Sequence, residues 1–270
     1  MNFKDKVVVI TGASSGIGLA LAYEFASRGA SIAMGARTEE KLKEVADELA
    51  KKGTKCIYAA TDVTKESDCK HLIDKTVEAF GRIDVLICNA GISMRALFDD
   101  VDLNVLRKLM DVNFWGTVYC CKYALPYIQR SHGSIVGVSS VAGFHGLPAR
   151  TGYSSSKYAM HGLLETIRIE NLKKGVHVMI AAPGFTASNV RFSALTADGS
   201  AQGESPRAEE KMMTSEDVAH RIAKGVWKRK RTLLMDFNGR ATNFLKKIWP
   251  SFLDKMFYNH MAKEPDSPLK

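Results

Sequence analysis

Short apolar runs rich in β-branched residues recur along the chain, and segments with an apolar residue every three or four positions lie between them. The first run, Lys6 to Thr11, is stopped by Gly12 and predicts a buried strand. Leu19, Leu21, Ala22, Phe25 and Ala26 then mark a helix that ends at Gly29. The alternation continues with strands at Ser31–Ala36, Lys55–Ala60, Ile83–Cys88, Ser134–Val138, Val176–Ala181 and Thr232–Met235. Helices are expected at Glu39–Lys52, Lys65–Phe80, Leu103–Ile128 (one or two helices), Tyr153–Lys174 and Ser215–Lys228. The last opens on Ser215-Glu216-Asp217, read as an N-cap with an acidic first turn.

Strands alternating with helices predict an α/β fold: a single Rossmann-like doubly wound parallel sheet with helices on both faces. From Thr186 to Met213 the pattern lapses into small and polar residues, and a loop of that length reads as a lid. After Arg240 the pairs Phe244-Leu245, Ile248-Trp249, Phe252-Leu253 and Met256-Phe257 return every four residues, with lysines and Asp254 between them. This predicts an amphipathic C-terminal helical tail, broken or restarted at Pro250. The expected organisation is one catalytic domain, residues 1–239 with its lid at about 186–213, and a 240–270 extension. The tail either packs on its own core or a sister subunit, or lies in an anionic membrane interface with Trp249 and the lysines at headgroup level.

Composition narrows the classes. Hydrophobic residues at 46% and charged residues at 25% are those of an ordinary globular protein. No apolar run approaches membrane-spanning length, and Met1 leads directly into a strand with no secretory signal pattern, so a cytoplasmic protein is expected, or one peripheral to the inner face of a membrane. The five cysteines show neither metal-site nor C-x-x-C spacing and read as reduced, mostly buried thiols; no metal is expected. A formal charge of +9 favours anionic partners such as a phosphorylated cofactor or an acidic lipid surface. The Lys228–Arg231 run reads first as a solvated helix end. No basic helix with base-reading side chains and no interleaved aromatic platform points to nucleic acid.

The candidate chemistry centres on Tyr153 and Lys157, which share a helical face at i,i+4. A phenol titrates near pH 10, and a neighbouring ammonium would favour the phenolate and bring its pKa toward the working range. Thr11-Gly12-Ala13-Ser14-Ser15-Gly16-Ile17-Gly18, between the first strand and its helix, would set backbone amides against a phosphate. After the second strand, Ala36-Arg37 stands where a typical NAD site carries an acid on the ribose, and Arg37 could grip a 2′-phosphate instead. Asn113 lies inside a predicted helix, where asparagine needs a hydrogen-bonding reason. Asn89-Ala90-Gly91, Ser140 and Pro183-Gly184 all follow the carboxyl ends of strands, where open α/β sheets bind ligands.

With these residues together, the chain resembles the classical short-chain dehydrogenase/reductase (SDR) family over roughly residues 5–235. Thr11-Gly12-x-x-x-Gly16-Ile17-Gly18 is similar to its cofactor loop, so that Ser14 and Ser15 would also line the phosphate turn. Asp62, with Val63, resembles its adenine contact and Asn89-Ala90-Gly91 its strand-four motif. Pro183-Gly184 resembles the nicotinamide-side motif, with Thr186 and Ser188 near the carboxamide. Asn113, Ser140, Tyr153 and Lys157 resemble its catalytic tetrad, Ser140 standing thirteen residues before Tyr153 and Ser139 one too early. Two positions depart: Ser15 replaces the basic residue common in NADP-preferring members, and Cys88 replaces an asparagine.

The resemblance implies a nicotinamide-dependent reductase of a carbonyl substrate, in a dimer or tetramer, and the expectation of NADP(H) rests on Arg37 and the lack of an acid at Ala36. Tyr153 and Lys157 would also touch the cofactor, and Asn113 would support a water relay to Lys157. Lid and tail are most similar to lipid- and steroid-handling reductases, some of them membrane-associated. The rival readings are a non-catalytic nucleotide sensor on the same fold and a peripheral anionic-membrane binder.

Overall fold

The computed structural model describes residues 1–184, 186, 193–203, 212–263 and 267–269. Its strands are β1 (Val7–Thr11), β2 (Ser31–Ala36), β3 (Cys56–Ala60), β4 (Val85–Cys88), β5 (Ser134–Val138), β6 (His177–Ala182) and β7 (Thr232–Leu234). They form one parallel sheet in the order β3-β2-β1-β4-β5-β6-β7. The order reverses between β1 and β4, which opens a crevice at their carboxyl ends.

The strands are apolar throughout because both faces are covered. Val8 and Ile10 of β1 point into one core, while Val9 between them points into the other. Helices α1 (Gly16–Ala26), α2 (Glu39–Lys51) and α7 (Ser215–Trp227) cover the first face with Phe25, Leu42 and Ile222. On the second face lie α3 (Glu66–Phe80), α5 (Gly116–Ser131) and α6 (Thr151–Glu170), which supply Leu72, Ile128 and Leu164. Four of the five cysteines are buried, Cys56 is half-buried, and all are free thiols, as the odd count implied.

Four details differ from the sequence pattern. The segment expected as one or two helices is α4 (Leu103–Met110), a π turn (Asp111–Trp115) and α5, with Asn113 in the π turn. Helix α6 stops at Glu170, and Leu172–Lys174 is a 3-10 turn. The cap of α7 is Thr214, whose hydroxyl accepts from Asp217 N at 3.1 Å; Ser215 is already the first helical residue. The tail helix α8 (Phe237–Ile248) begins ahead of the expected boundary at 239, because Asp236 caps it by accepting from Gly239 N at 2.9 Å.

Pro250 opens α9 (Pro250–Ala262), where its missing N–H costs nothing, so the tail restarts where the sequence indicated. Leu253 is fully buried, which stabilises the docked tail by roughly 1.5–3 kcal/mol. Phe244, Ile248 and Trp249 remain more than 60% exposed. Among the described residues no helix is long and apolar enough to cross a membrane.

Candidate active site

The crevice above β1 and β4 is a cleft of about 750 Å³. Its floor at one end is the turn from β1 to α1. Gly12 and Gly16 there have φ of 67° and 53°, conformations that a side chain resists. Ser15, the residue before α1, makes no side-chain capping bond, and no acidic residue sits in the first helical turn. The positive end of α1 therefore faces the cleft uncompensated by its own chain, which suits a phosphate group. Gly12, Ser14, Ser15, Gly16 and Ile17 line this part, while Gly18 is buried behind it.

The opposite wall of the turn is tied to β4. Thr11 Oγ1 accepts from the amides of Asn89 and Ala90 at 3.0 and 3.1 Å, and Asn89 Nδ2 donates to Thr11 O at 2.9 Å. Asn89, Ala90 and Gly91 line the cleft as expected. So do Arg37, exposed at the end of β2, and Asp62 with Val63 after β3. Asp62 also accepts from Thr64 N and Oγ1, at 3.1 and 2.8 Å, so its carboxylate braces its own turn. Pro183, Gly184 and Thr186 line the cleft beyond β6, and Thr186 Oγ1 donates to Gly184 O at 3.1 Å. Ser188 lies outside the described residues, as do parts of the expected lid. The described lid residues Ala194, Leu195 and Gln202 do border the cleft, held by Leu195 N to Ser93 O and Arg95 N to Leu195 O at 2.9 and 2.8 Å.

Ser140, Tyr153 and Lys157 meet in the middle. Ser140 follows β5, its Oγ accepting from Ala142 N at 3.3 Å, and its hydroxyl favours the ionised form of the Tyr153 phenol. Tyr153, from α6, leans its ring on the Met94, Val105, Leu109 and Leu195 cluster, which joins α4, the lid and α6. Lys157, one turn further along α6, is only 3% exposed. Its Nζ donates to Val138 O at 2.9 Å and stands 5.8 Å from the Tyr153 ring centroid.

The electrostatics differ from the sequence expectation. Burial pushes the Tyr153 phenol above its usual value; the Ser140 hydroxyl and the Arg150 cation oppose that shift. Lys157 is itself lowered to about 8 by burial, and it spends a hydrogen bond on a backbone carbonyl. The cation that opposes the rise is Arg150, three residues before Tyr153 at the start of α6.

Asn113 is fully buried and sits behind the cleft wall. Its Oδ1 accepts from Ile92 N at 2.9 Å, while Nδ2 donates to Ile92 O at 3.0 Å and to Ser156 Oγ at 2.9 Å. The π turn aims this side chain, which clamps the loop after β4 to α6. Ser139, set aside as the reactive serine, is instead bonded to His161 Nε2 at 2.6 Å. Burial first, then Lys157, lowers His161 to about 4, so it is neutral. The sequence held a signal for His161, since it continues the Tyr153–Lys157 face by one more turn. It held none for Leu147 or Met261, which also line the cleft.

A doubly wound sheet with a phosphate-binding turn and a serine–tyrosine–lysine group in its switch-point crevice defines a nicotinamide-dependent oxidoreductase. The chain belongs to the short chain dehydrogenase family, whose model matches residues 6–198. It is 38% identical over 275 residues to 11-beta-hydroxysteroid dehydrogenase A of Arachis hypogaea, covering 99% of this chain and 78% of that protein. Identity to 11-beta-hydroxysteroid dehydrogenase 1A of Arabidopsis thaliana is 43% over 193 residues, 70% of this chain, and the match spans about half (54%) of that relative's length. Among solved structures, a short chain dehydrogenase/reductase from Burkholderia phymatum in complex with NAD is similar with a TM-score of 0.82 and 25% identity, covering 93% of this chain and 96% of that one. An alcohol dehydrogenase from the archaeon Thermococcus sibiricus, complexed with 5-hydroxy-NADP, has a TM-score of 0.74 and 28% identity, covering 84% of this chain and 93% of that one.

Proposed function

We propose that this enzyme is an NADP(H)-dependent reductase of hydrophobic, lipid- or steroid-like ketones. The observation that carries the reading is that Ser140, Tyr153 and Lys157 line one cleft together, with Lys157 only 3% exposed. When bound, the nicotinamide supplies the hydride that reaches the carbonyl carbon. Tyr153 donates its phenolic proton to the carbonyl oxygen as charge develops there, and its raised pKa keeps that proton in place at neutral pH. Ser140 hydrogen-bonds the same oxygen and orients it. Lys157 would hold the nicotinamide ribose, and Asn113 would keep Ile92 and Ser156 in register around it. Gly12, Ser14, Ser15, Gly16 and Ile17 would hold the pyrophosphate, Asp62 and Val63 the adenine, and Arg37 a 2′-phosphate. Asn89, Ala90, Gly91, Pro183, Gly184, Thr186 and Ser188 would complete the nicotinamide side.

Ile92, Leu147 and Leu195 give the cleft an apolar lining, Ile92 and Leu195 sharing one cluster with Tyr153; this favours a hydrophobic substrate, and the names of the plant relatives agree with a steroid skeleton. The test is NADPH oxidation over ketosteroids, long-chain 3-keto lipids, acyl-dihydroxyacetone phosphate and simple ketones. Cofactor binding with no turnover on any of them would favour the sensor reading.

A second reading concerns the tail, taking residues 1–239 as the catalytic domain and 240–270 as its extension. Phe244, Ile248 and Trp249 leave an apolar face open beside Lys247, more than a solvated terminus requires. We assign this face to an anionic membrane surface, from which a greasy ketone would enter the cleft. In a dimer or tetramer a second copy would cover it instead.

A further inference from the structure

The family match ends at residue 198, yet a side chain far beyond it borders the cleft. Met261, near the end of α9, is 6% exposed and lines the same space as Leu147, Arg150, Leu195 and Gln202. Phe257, one helical turn before Met261, packs on His145, two residues before the cleft-lining Leu147, so α9 reaches the cleft from the side of the segment that leads into Tyr153.

The placement of α9 is braced. Leu253 is fully buried at its start. The rings of Phe257 and His145 lie with centroids 4.9 Å apart and planes tilted by 30°. Asp254 Oδ1 stands 3.5 Å from His145 Nε2. One helix earlier, Lys246 Nζ donates to Phe144 O at 2.7 Å. Phe144 and His145 directly follow the 3-10 turn Val141–Gly143 that Ser140 caps. The tail and the Ser140 loop are therefore packed as one unit, and Met261 is delivered to the cleft by the same helix.

We infer that α9 is the substrate-side wall of this chain's own cleft, and that Met261 sets how large a ketone the site accepts. The size argument rests on the carbonyl chemistry proposed above; the placement of the wall does not. Methionine suits the position, because its unbranched thioether can mould to an apolar ring system.

The test uses the full chain with NADPH and two ketones, cyclohexanone and a tetracyclic ketosteroid. Met261→Ala should raise the kcat/KM ratio of large to small ketone by about tenfold, and Met261→Trp should lower it comparably, the usual scale for reshaping an apolar pocket. The KM for NADPH should stay within about twofold, since no residue assigned to the cofactor is altered. A ratio unmoved in both folded variants overturns the inference. A second measurement does not need turnover. Met261→Cys, in a Cys56→Ser background, is labelled with bimane, and the tetracyclic ketone is added with NADP+ present. A shift in emission is expected; no shift overturns the inference. If the wild type reduces neither ketone, the proposed reaction fails, while the bimane signal still reports whether this wall meets the ligand.

Discussion

Lys157 Nζ donates to the carbonyl oxygen of Val138 at 2.9 Å, so the lysine is anchored to the end of β5 rather than to the phenol one turn away. Buried in this way, its pKa falls to about 8 from 10.5. Below about pH 8 both folded and unfolded chains carry the proton, and the folded state bears the full cost of a buried charge. Between about 8 and 10.5 the folded state has lost the proton while the unfolded chain keeps it, so stability rises with pH across that window. Urea unfolding of wild type and Lys157→Met should show their difference moving in the wild type's favour by about 3 kcal/mol over this range. The difference should be flat below it. A difference independent of pH would mean that Lys157 titrates normally.

Tyr153→Phe keeps the ring that packs on Met94 and Leu195 but removes the proton. Turnover of the best ketone should fall at least about a hundredfold. NADPH affinity, read by fluorescence titration, should barely change. Near-native activity would remove Tyr153 from the mechanism.

Arg150 lowers the Tyr153 pKa against burial, which raises it. Arg150→Ala should therefore move the phenol further up. Ketone reduction needs the protonated phenol and is lost as pH rises through its pKa, so the alkaline limb of kcat/KM should shift to higher pH in the variant. Alcohol oxidation, which needs the phenolate, should begin at correspondingly higher pH. A limb that stays in place would assign the profile to another group.

Arg37 is exposed at the cleft edge with Ala36, not an acid, before it. A charge-assisted contact is worth about 1.5–3 kcal/mol, so NADPH should be preferred over NADH by about tenfold to a hundredfold. Arg37→Ala should erase most of that preference while leaving NADH kinetics in place. Equal use of both cofactors by the wild type would assign no 2′-phosphate role to Arg37.

The exposed face of α8 can be tested without cutting the tail, whose first helix is capped at Asp236 inside the packed body. Phe244→Ser with Ile248→Ser should abolish flotation with anionic liposomes and leave the mass by light scattering unchanged. Added salt should weaken wild-type flotation, because each surface lysine contributes about 1 kcal/mol to anionic-lipid binding. A smaller assembly in the variant would assign the face to a sister subunit.

The sequence by itself determined the elements and their order. Unbroken apolar runs such as Val7–Thr11 can be buried only between two covered faces, and the intervening helical stripes supply the covers. It also determined which side chains share a direction along one helix, as Tyr153 and Lys157 do, because helical periodicity is local. Glycines at the β1–α1 turn announced themselves because their left-handed conformations exclude most other residues. Tertiary structure decided the rest. Lys157 meets Val138, Asn113 meets Ile92 and Ser156, and Met261 joins Leu195 in lining one cleft, across separations that no period encodes. The cap of α7 fell to Thr214 because the choice between adjacent hydroxyl residues depends on where the chain enters the helix. The phenol's pKa, too, belongs to the fold. Neighbours three or four residues away, Arg150 and Lys157, can be read from sequence, but burial exists only once α4, α6 and the lid have closed around Tyr153.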